Sequence, residues 1–148
     1  MRLFISSDHA GVEFKEKLLT ELKKKKPSLI IEDFGTSGSE SVHYPFFAKK
    51  VADQVAAGKG VGVLICGTGI GMSIAANKIS GIRAAVVWND ESAKLAKEHN
   101  DANILCLGAR LHTLEVAISA VISWLDAQFQ GGRHQERLDL IHQWETHK

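Results

Sequence analysis

Short apolar segments alternate with longer segments of helical pattern along the 148 residues of the chain, and this alternation restricts the fold more than any other feature. Residues 62–66 and 84–87 contain no alternating polar side chains, which is typical of strands covered on both faces. Strands that alternate with helices form parallel sheets with right-handed crossovers. The sequence therefore predicts one domain, residues 1–148, with a doubly wound, Rossmann-like α/β fold: a five-stranded parallel sheet with helices on both faces.

The spacing of apolar residues predicts where the individual elements lie. The predicted strands cover residues 2–6, 29–34, 62–66, 83–87 and 104–108. The predicted helices cover residues 12–26, 45–57, 72–78, 91–98, 114–128 and 133 to about 144. In the first helix, Leu18 and Leu22 lie near one apolar face, and the charged residues Lys15 and Lys17 are expected largely off that face.

The last predicted helix has no strand to return to, yet it carries an apolar stripe. Leu138, Ile141 and Trp144 follow one another at three-residue steps. Such a stripe has to be covered, so we expect the C-terminal helix to pack on a second copy of the chain in a homodimer.

Composition narrows the classes of partner. Lys and Arg number 18 against 17 Asp and Glu, and a net charge of +1 provides no field for nucleic acid or an anionic membrane. No apolar segment approaches the roughly 20 residues that span a bilayer, and Met1 leads directly into a strand without room for a signal peptide. The two cysteines form no metal-binding or disulfide pattern. We therefore expect a cytoplasmic protein that binds no nucleic acid, membrane or metal.

Ligands of open α/β sheets bind beyond the carboxyl ends of the strands, and one segment there is rich in glycine. Residues 66–71 hold three glycines at a helix start, where backbone N–H groups converge on an anion or a developing oxyanion. The third glycine is Gly71, whereas a dinucleotide-binding fingerprint would place it at 72. Asp90 and Glu91 follow about 20 residues on, so a nucleotide-binding module stays as an alternative.

Polar side chains at the same edge have two readings each. Cys66 is either a small buried residue that ends a strand, or a thiolate that a helix N-terminus stabilises as a base or nucleophile. Asp8 is either the N-cap of the first helix or, with His9, a group facing the cleft. Cys106 lies within an apolar strand and is expected in the core.

Two further features carry charge outside that edge. Arg133 and Arg137 stand four residues apart after two glycines, where a cation opposes the helix dipole, so an anion clamp is favoured over a solvated face. His99 and Asn100 end a helix, where capping is the alternative role. They precede strand five at the amino edge, roughly 15–20 Å from Cys66. We therefore predict a composite site built by two chains.

Several sequence blocks together resemble the ribose-5-phosphate isomerase B family, whose wider group includes allose- and galactose-6-phosphate isomerases. The blocks are SDHAG (7–11), CGTGIGMSIAANK (66–78), HNDAN (99–103) and GGRHQ (131–135) with Arg137, in the order of that family. The resemblance implies an aldose–ketose isomerase of the pentose phosphate pathway that interconverts D-ribose 5-phosphate and D-ribulose 5-phosphate through a cis-enediolate. It implies no metal or organic cofactor, and homodimers or tetramers with shared sites.

The resemblance also implies individual roles. Cys66 corresponds to the proton-transferring base, His99 to the residue that assists ring opening, and Thr68 to part of the loop around the enediolate. The implied substrate-binding residues are Asp8, His9, Gly67, Thr68, Gly69, Ile70, Gly71, Asn100, Arg110, Arg133 and Arg137. The family usually has an acidic residue before Tyr-Pro, where this chain has His43. Either that position contacts the sugar, and a six-carbon sugar phosphate is the alternative substrate, or His43 is solvated and has no role.

Overall fold

A computed structural model describes residues 1–147, in which five parallel strands form one sheet of order β2-β1-β3-β5-β4. The strands are β1 (Arg2–Ser7), β2 (Ile30–Asp33), β3 (Val61–Cys66), β4 (Ala84–Val86) and β5 (Ile104–Gly108). The helices are α1 (Val12–Lys25), α2 (Tyr44–Ala56), α3 (Ile70–Ala76), α4 (Asp90–Asn100), α5 (Leu114–Asp126) and α6 (Arg133–Thr146), and a 3-10 turn (His9–Gly11) precedes α1. Every predicted strand and helix is confirmed, with ends shifted by one or two residues.

Helices cover both faces of the sheet, as the continuous apolar strands predict. On one face, Leu3 and Val63 belong to a buried cluster with Leu18 of α1 and with residues of α4 and α5. On the other, Phe4 and Leu64 pack with residues of α2 and α3. Successive strand residues alternate between these clusters because the side chains of a strand point to opposite faces. The doubly wound α/β fold is therefore confirmed.

The apolar stripe of α6 is left open to solvent within the single chain. Ile141 is 44% exposed and Trp144 is 71% exposed. One turn after Ile141, on the same side of α6, the Glu145 carboxylate accepts a hydrogen bond of 3.2 Å from the Gly81 N–H. The prediction that a second copy covers this stripe stays a prediction.

Lys15 departs from the expectation that it lies off the apolar face of α1. It is 1% exposed and lies on the same side of α1 as Leu18 and Leu22. Its ammonium forms an ion pair of 2.8 Å with Asp33 at the end of β2. A partner 18 residues away thus allows a lysine to occupy a core position, since a buried charge is tolerated when it is paired.

Within residues 1–147, no helix is both long enough and apolar enough to span a bilayer.

Candidate active site

Three loops meet at the carboxyl edge of the sheet because β1, β3 and β5 are neighbours. Ser7 lies opposite Ile65, and Cys66 lies opposite Gly108. The segments that follow these strands carry Asp8 and His9, the glycine loop of residues 67–71, and Arg110. The structure therefore brings together the larger part of the predicted site residues.

Cys66 is buried at the end of a strand, as the first of its two readings predicts. The side chain is 5% exposed at the end of β3, and its Sγ accepts a hydrogen bond of 3.1 Å from the Gly69 N–H. Gly69 has φ +80°, a left-handed conformation that glycine adopts without strain and that aims this N–H back at the sulfur. The role of this sulfur as a base or nucleophile stays a prediction.

Contacts with β5 fix the shape of the glycine loop. The Arg110 N–H donates to the Gly67 carbonyl at 3.0 Å. A Cβ on Gly108 would lie 2.7 Å from the Thr68 carbonyl, so the loop backbone rests directly on β5. A Cβ on Gly67 would lie 3.0 Å from the Arg110 guanidinium, which therefore covers the loop at this edge.

Asp8 and His9 occupy the 3-10 turn after β1. Asp8 accepts a hydrogen bond of 3.0 Å from the Ala10 N–H and is the N-cap of this turn. The N-cap of α1 is Gly11, so the predicted cap belongs to the turn and not to the helix. The Nδ1 atom of His9 accepts a hydrogen bond of 3.2 Å from the Val42 N–H. Both residues are thus oriented by backbone groups at the same edge as Cys66.

Tyr44 also lies against the glycine loop. A Cβ on Gly71 would lie 2.7 Å from the Tyr44 ring. The preceding residue, His43, is exposed and makes an edge contact with Phe46, with 6.4 Å between ring centroids.

A second cluster lies at the opposite, amino edge of the sheet. The His99 ring at the end of α4 stacks on the His134 ring of α6, with 4.3 Å between centroids. Desolvation lowers the pKa of His134, and the positive charges of His99 and of the two arginines lower it further. The arginines are Arg133 and Arg137, one turn apart on α6. His134, which follows Arg133 directly, was not among the predicted site residues.

One chain does not bring the two clusters together. Asn100 ends α4 at the amino edge before Ile104 starts β5, whereas Gly108 ends β5 beside Cys66. The five residues of β5 separate the edges by roughly 16 Å at about 3.3 Å per residue. The cationic cluster of His99, His134, Arg133 and Arg137 is therefore isolated from the thiol within one chain.

Within the described part of the chain, residues 1–147, no group of His, Cys, Asp and Glu side chains is arranged to hold a metal ion. A doubly wound fold with a hydrogen-bonded thiol, a glycine loop and clustered arginines defines an enzyme that acts on small anionic molecules.

Comparisons with known proteins narrow this class. Residues 3–141 match the family described as Ribose/Galactose Isomerase. The chain is 45% identical over 141 residues to ribose-5-phosphate isomerase B of Escherichia coli (strain K12), covering 95% of this chain and 93% of that protein. The chain belongs to the ribose/galactose isomerase family and is an isomerase. The motif resemblance to that family is thus confirmed.

Solved structures agree over the whole fold. The ribose-5-phosphate isomerase B of Clostridium thermocellum superposes with a TM-score of 0.94 at 50% identity, covering 99% of this chain and 98% of that one. That of Mycoplasma genitalium, solved with bound ribulose-5-phosphate, gives a TM-score of 0.94 at 41% identity, covering 99% and 97%.

Proposed function

We propose that this isomerase interconverts D-ribose 5-phosphate and D-ribulose 5-phosphate, with Cys66 as the base and without metal or organic cofactor. The observation that carries the proposal is the Sγ of Cys66, hydrogen-bonded by Gly69 at 3.1 Å at the start of a glycine loop. The names of the similar proteins support the substrate. The protein would then act in the pentose phosphate pathway, in the cytoplasm, where its phosphorylated substrate is retained.

The chemistry requires one base that acts twice. The Cys66 thiolate takes the proton from C2 of the open-chain aldose, and the C2 electrons form the double bond of a cis-enediolate as O1 becomes negative. The thiol then returns the proton to C1 while the O2 hydroxyl proton passes to O1, so the carbonyl forms at C2 and O1 ends as a hydroxyl. Because the same sulfur serves both carbons, the substrate has to be held with C1 and C2 against Sγ.

The glycine loop supplies donors for the enediolate. Within residues 1–147, the hydrogen bonds of the loop leave the Gly67 and Thr68 N–H groups unused. The Thr68 Oγ1 accepts a hydrogen bond of 3.2 Å from the Ile70 N–H, so its own O–H is free to donate. Fixed donors aimed at developing charge stabilise a transition state without reorganisation.

We propose that a second copy of the chain completes the site. Ring opening needs a proton donor and the phosphate needs cations, and His99, Arg133 and Arg137 provide both in the cluster at the amino edge. From the partner, these residues would face Cys66, with Asn100 holding the sugar. The exposed apolar stripe of α6 supports such an association, because Ile141 and Trp144 lack cover in one chain. Light scattering coupled to size exclusion should give a dimer or tetramer, and an active monomer would contradict the shared site.

The function is tested by proton NMR of ribose 5-phosphate with the protein in heavy water. We expect ketose to appear, with deuterium next to the carbonyl unless Cys66 retains the substrate proton. The Cys66→Ala protein, purified in parallel, controls for a contaminating isomerase.

Substrate preference is tested by kcat/KM on five- and six-carbon sugar phosphates. His43 replaces the usual acidic residue beside Tyr44, which contacts the glycine loop, so this ratio is the informative measurement. Turnover of the six-carbon substrate alone would assign the sibling activity. No turnover of either sugar phosphate, together with saturable binding of NAD or ATP, would favour a nucleotide-binding module.

A further inference from the structure

The β2–α2 loop, residues 34–43, runs over the carboxyl end of β1 and is anchored at its start by Lys15. The Lys15 Nζ donates to Asp33 Oδ1 at 2.9 Å and to the Thr36 carbonyl at 3.0 Å, and it lies 2.8 Å from Asp33 Oδ2. Asp33 Oδ1 also accepts from the Gly35 N–H at 2.8 Å. An ammonium has three donor hydrogens, so these three oxygens satisfy Lys15 fully.

The Lys15 anchor holds the loop against β1, the strand that precedes Asp8 and His9. A Cβ on Gly35 would lie 2.6 Å from the Ser7 amide nitrogen and 2.9 Å from the Lys15 Nζ. Ser7 directly precedes Asp8 and His9. The Lys15 contact therefore holds the loop against Ser7, two residues before the 3-10 turn that begins at His9.

At its far end the loop meets His9 itself. The Val42 N–H donates to His9 Nδ1 at 3.2 Å. A neutral imidazole that accepts at Nδ1 carries its proton on Nε2. His9 is thereby held as the Nε2–H tautomer, which offers a donor to an anionic ligand oxygen.

Between the two anchors the loop has few contacts of its own. The described hydrogen bond there joins the Gly38 N–H to Thr36 Oγ1 at 3.3 Å, and a Cβ on Gly38 would meet nothing within 4 Å. Val42 therefore depends on the ends of the loop for its position. The ion pair of Lys15 holds one of these ends, and the start of α2 at Tyr44 holds the other.

We propose that Lys15 is a positioning residue. It holds the β2–α2 loop through Asp33 and Thr36, and the loop in turn holds His9 as an Nε2–H donor toward the substrate. That His9 donates to the substrate rests on the proposed function, whereas the assignment of its tautomer does not.

The test compares Lys15→Met with Lys17→Met. Methionine keeps the buried stem and removes the charge and donors, and Lys17 is an exposed lysine of the same helix that pairs with Glu13. The imidazole nitrogen shifts of His9, assigned with a His9→Gln spectrum, report the tautomer without substrate. We expect one tautomer in wild type and Lys17→Met, and a mixture in Lys15→Met. KM for ribose 5-phosphate should rise about tenfold, with a smaller change in kcat.

The proposal is overturned if Lys15→Met folds and its His9 imidazole nitrogen shifts are the same as those of wild type. If Lys15→Met does not fold, Asp33→Asn, which weakens the same pair, decides: a mixed tautomer supports the proposal and an unchanged one rejects it. A tautomer change in a protein that does not isomerise ribose 5-phosphate would leave Lys15 as the anchor and reject the proposed function instead.

Discussion

The two cysteines occupy one face of the sheet on neighbouring strands, yet their surroundings differ. Cys66 ends β3 and receives the Gly69 N–H at 3.1 Å. Cys106 lies two residues before the end of β5 and is fully buried. Burial raises the pKa of the Cys106 thiol, and the neighbouring Cys66 adds to this rise. Only Cys66 therefore has both a donor for its thiolate and access to the edge.

This difference predicts the effect of removing each thiol. Cys66→Ala should lower kcat by at least about 100-fold, the range for loss of a general base. The dissociation constant for ribose 5-phosphate, measured by calorimetry, should change little because binding depends on other groups. Cys106→Ala should retain kcat and lose about 1 kcal/mol of stability. Near-normal turnover by Cys66→Ala would reject the base assignment.

His134 predicts a pH dependence of stability. Desolvation and nearby positive charges lower its pKa in the folded state, below about 6.5 for the unfolded chain. As pH falls, the unfolded state takes up the proton first, so the contribution is complete above about pH 6.5 and decreases below it. The Tm of wild type should fall more between about pH 7.5 and about pH 5.5 than that of His134→Gln.

Phosphate provides the control for this prediction. An anion on the cluster of His99, Arg133 and Arg137 favours the protonated imidazole, so saturating phosphate should reduce the difference between the two proteins. Identical pH profiles without phosphate would show that His134 titrates as it does in the unfolded chain.

At the scale of elements, the contact between β5 and the glycine loop predicts the effect of one methyl group. Gly108→Ala places a Cβ 2.7 Å from the Thr68 carbonyl, which is backbone and has to shift. The variant should lose about 1–3 kcal/mol, and kcat/KM should fall about 100-fold because the donors of the loop move. Gly38→Ala, which meets nothing within 4 Å, is the matched control in denaturation and steady-state assays. Equal activity in both variants would contradict the role of this contact.

The elements could be predicted because their signals are local. Continuous apolar segments of strand length and helical periodicity identified every strand and helix. Some observed ends differ from the predicted ends for physical reasons. Helix α3 starts at Ile70 because Gly69 adopts a left-handed φ. Helix α2 starts at Tyr44 with Pro45 in its first turn. Propensity alone cannot locate such caps to the residue.

Only part of the candidate site could be predicted from the sequence. Cys66, the glycine loop and the arginines follow from residue type and position at a strand or helix end. Lys15 was misassigned because its partner Asp33 is remote in sequence, and a lysine without a known partner is expected in solvent. The Val42 contact with His9 joins residues 33 apart in the sequence, with α1 and β2 between them, so the sequence has no local signal for it.

At the scale of the whole molecule, the separation of Cys66 from His99 predicts complementation between inactive variants. Cys66→Ala and His99→Ala proteins should each be nearly inactive. In a mixed dimer, one of the two sites would regain both groups, so equal mixing with subunit exchange should restore about a quarter of wild-type activity. The assay follows ketose formation before and after exchange, with heterodimers confirmed by native mass spectrometry. No recovery would place both groups in one chain's site.

The placement of these groups on opposite edges of the sheet has a kinetic consequence. If each site is completed only when two chains meet, activity per chain is constant at high concentration and declines on dilution below the dissociation constant of the dimer. In that regime the rate becomes second order in protein. The flux through the reaction would then follow the square of the amount of chain that a cell makes.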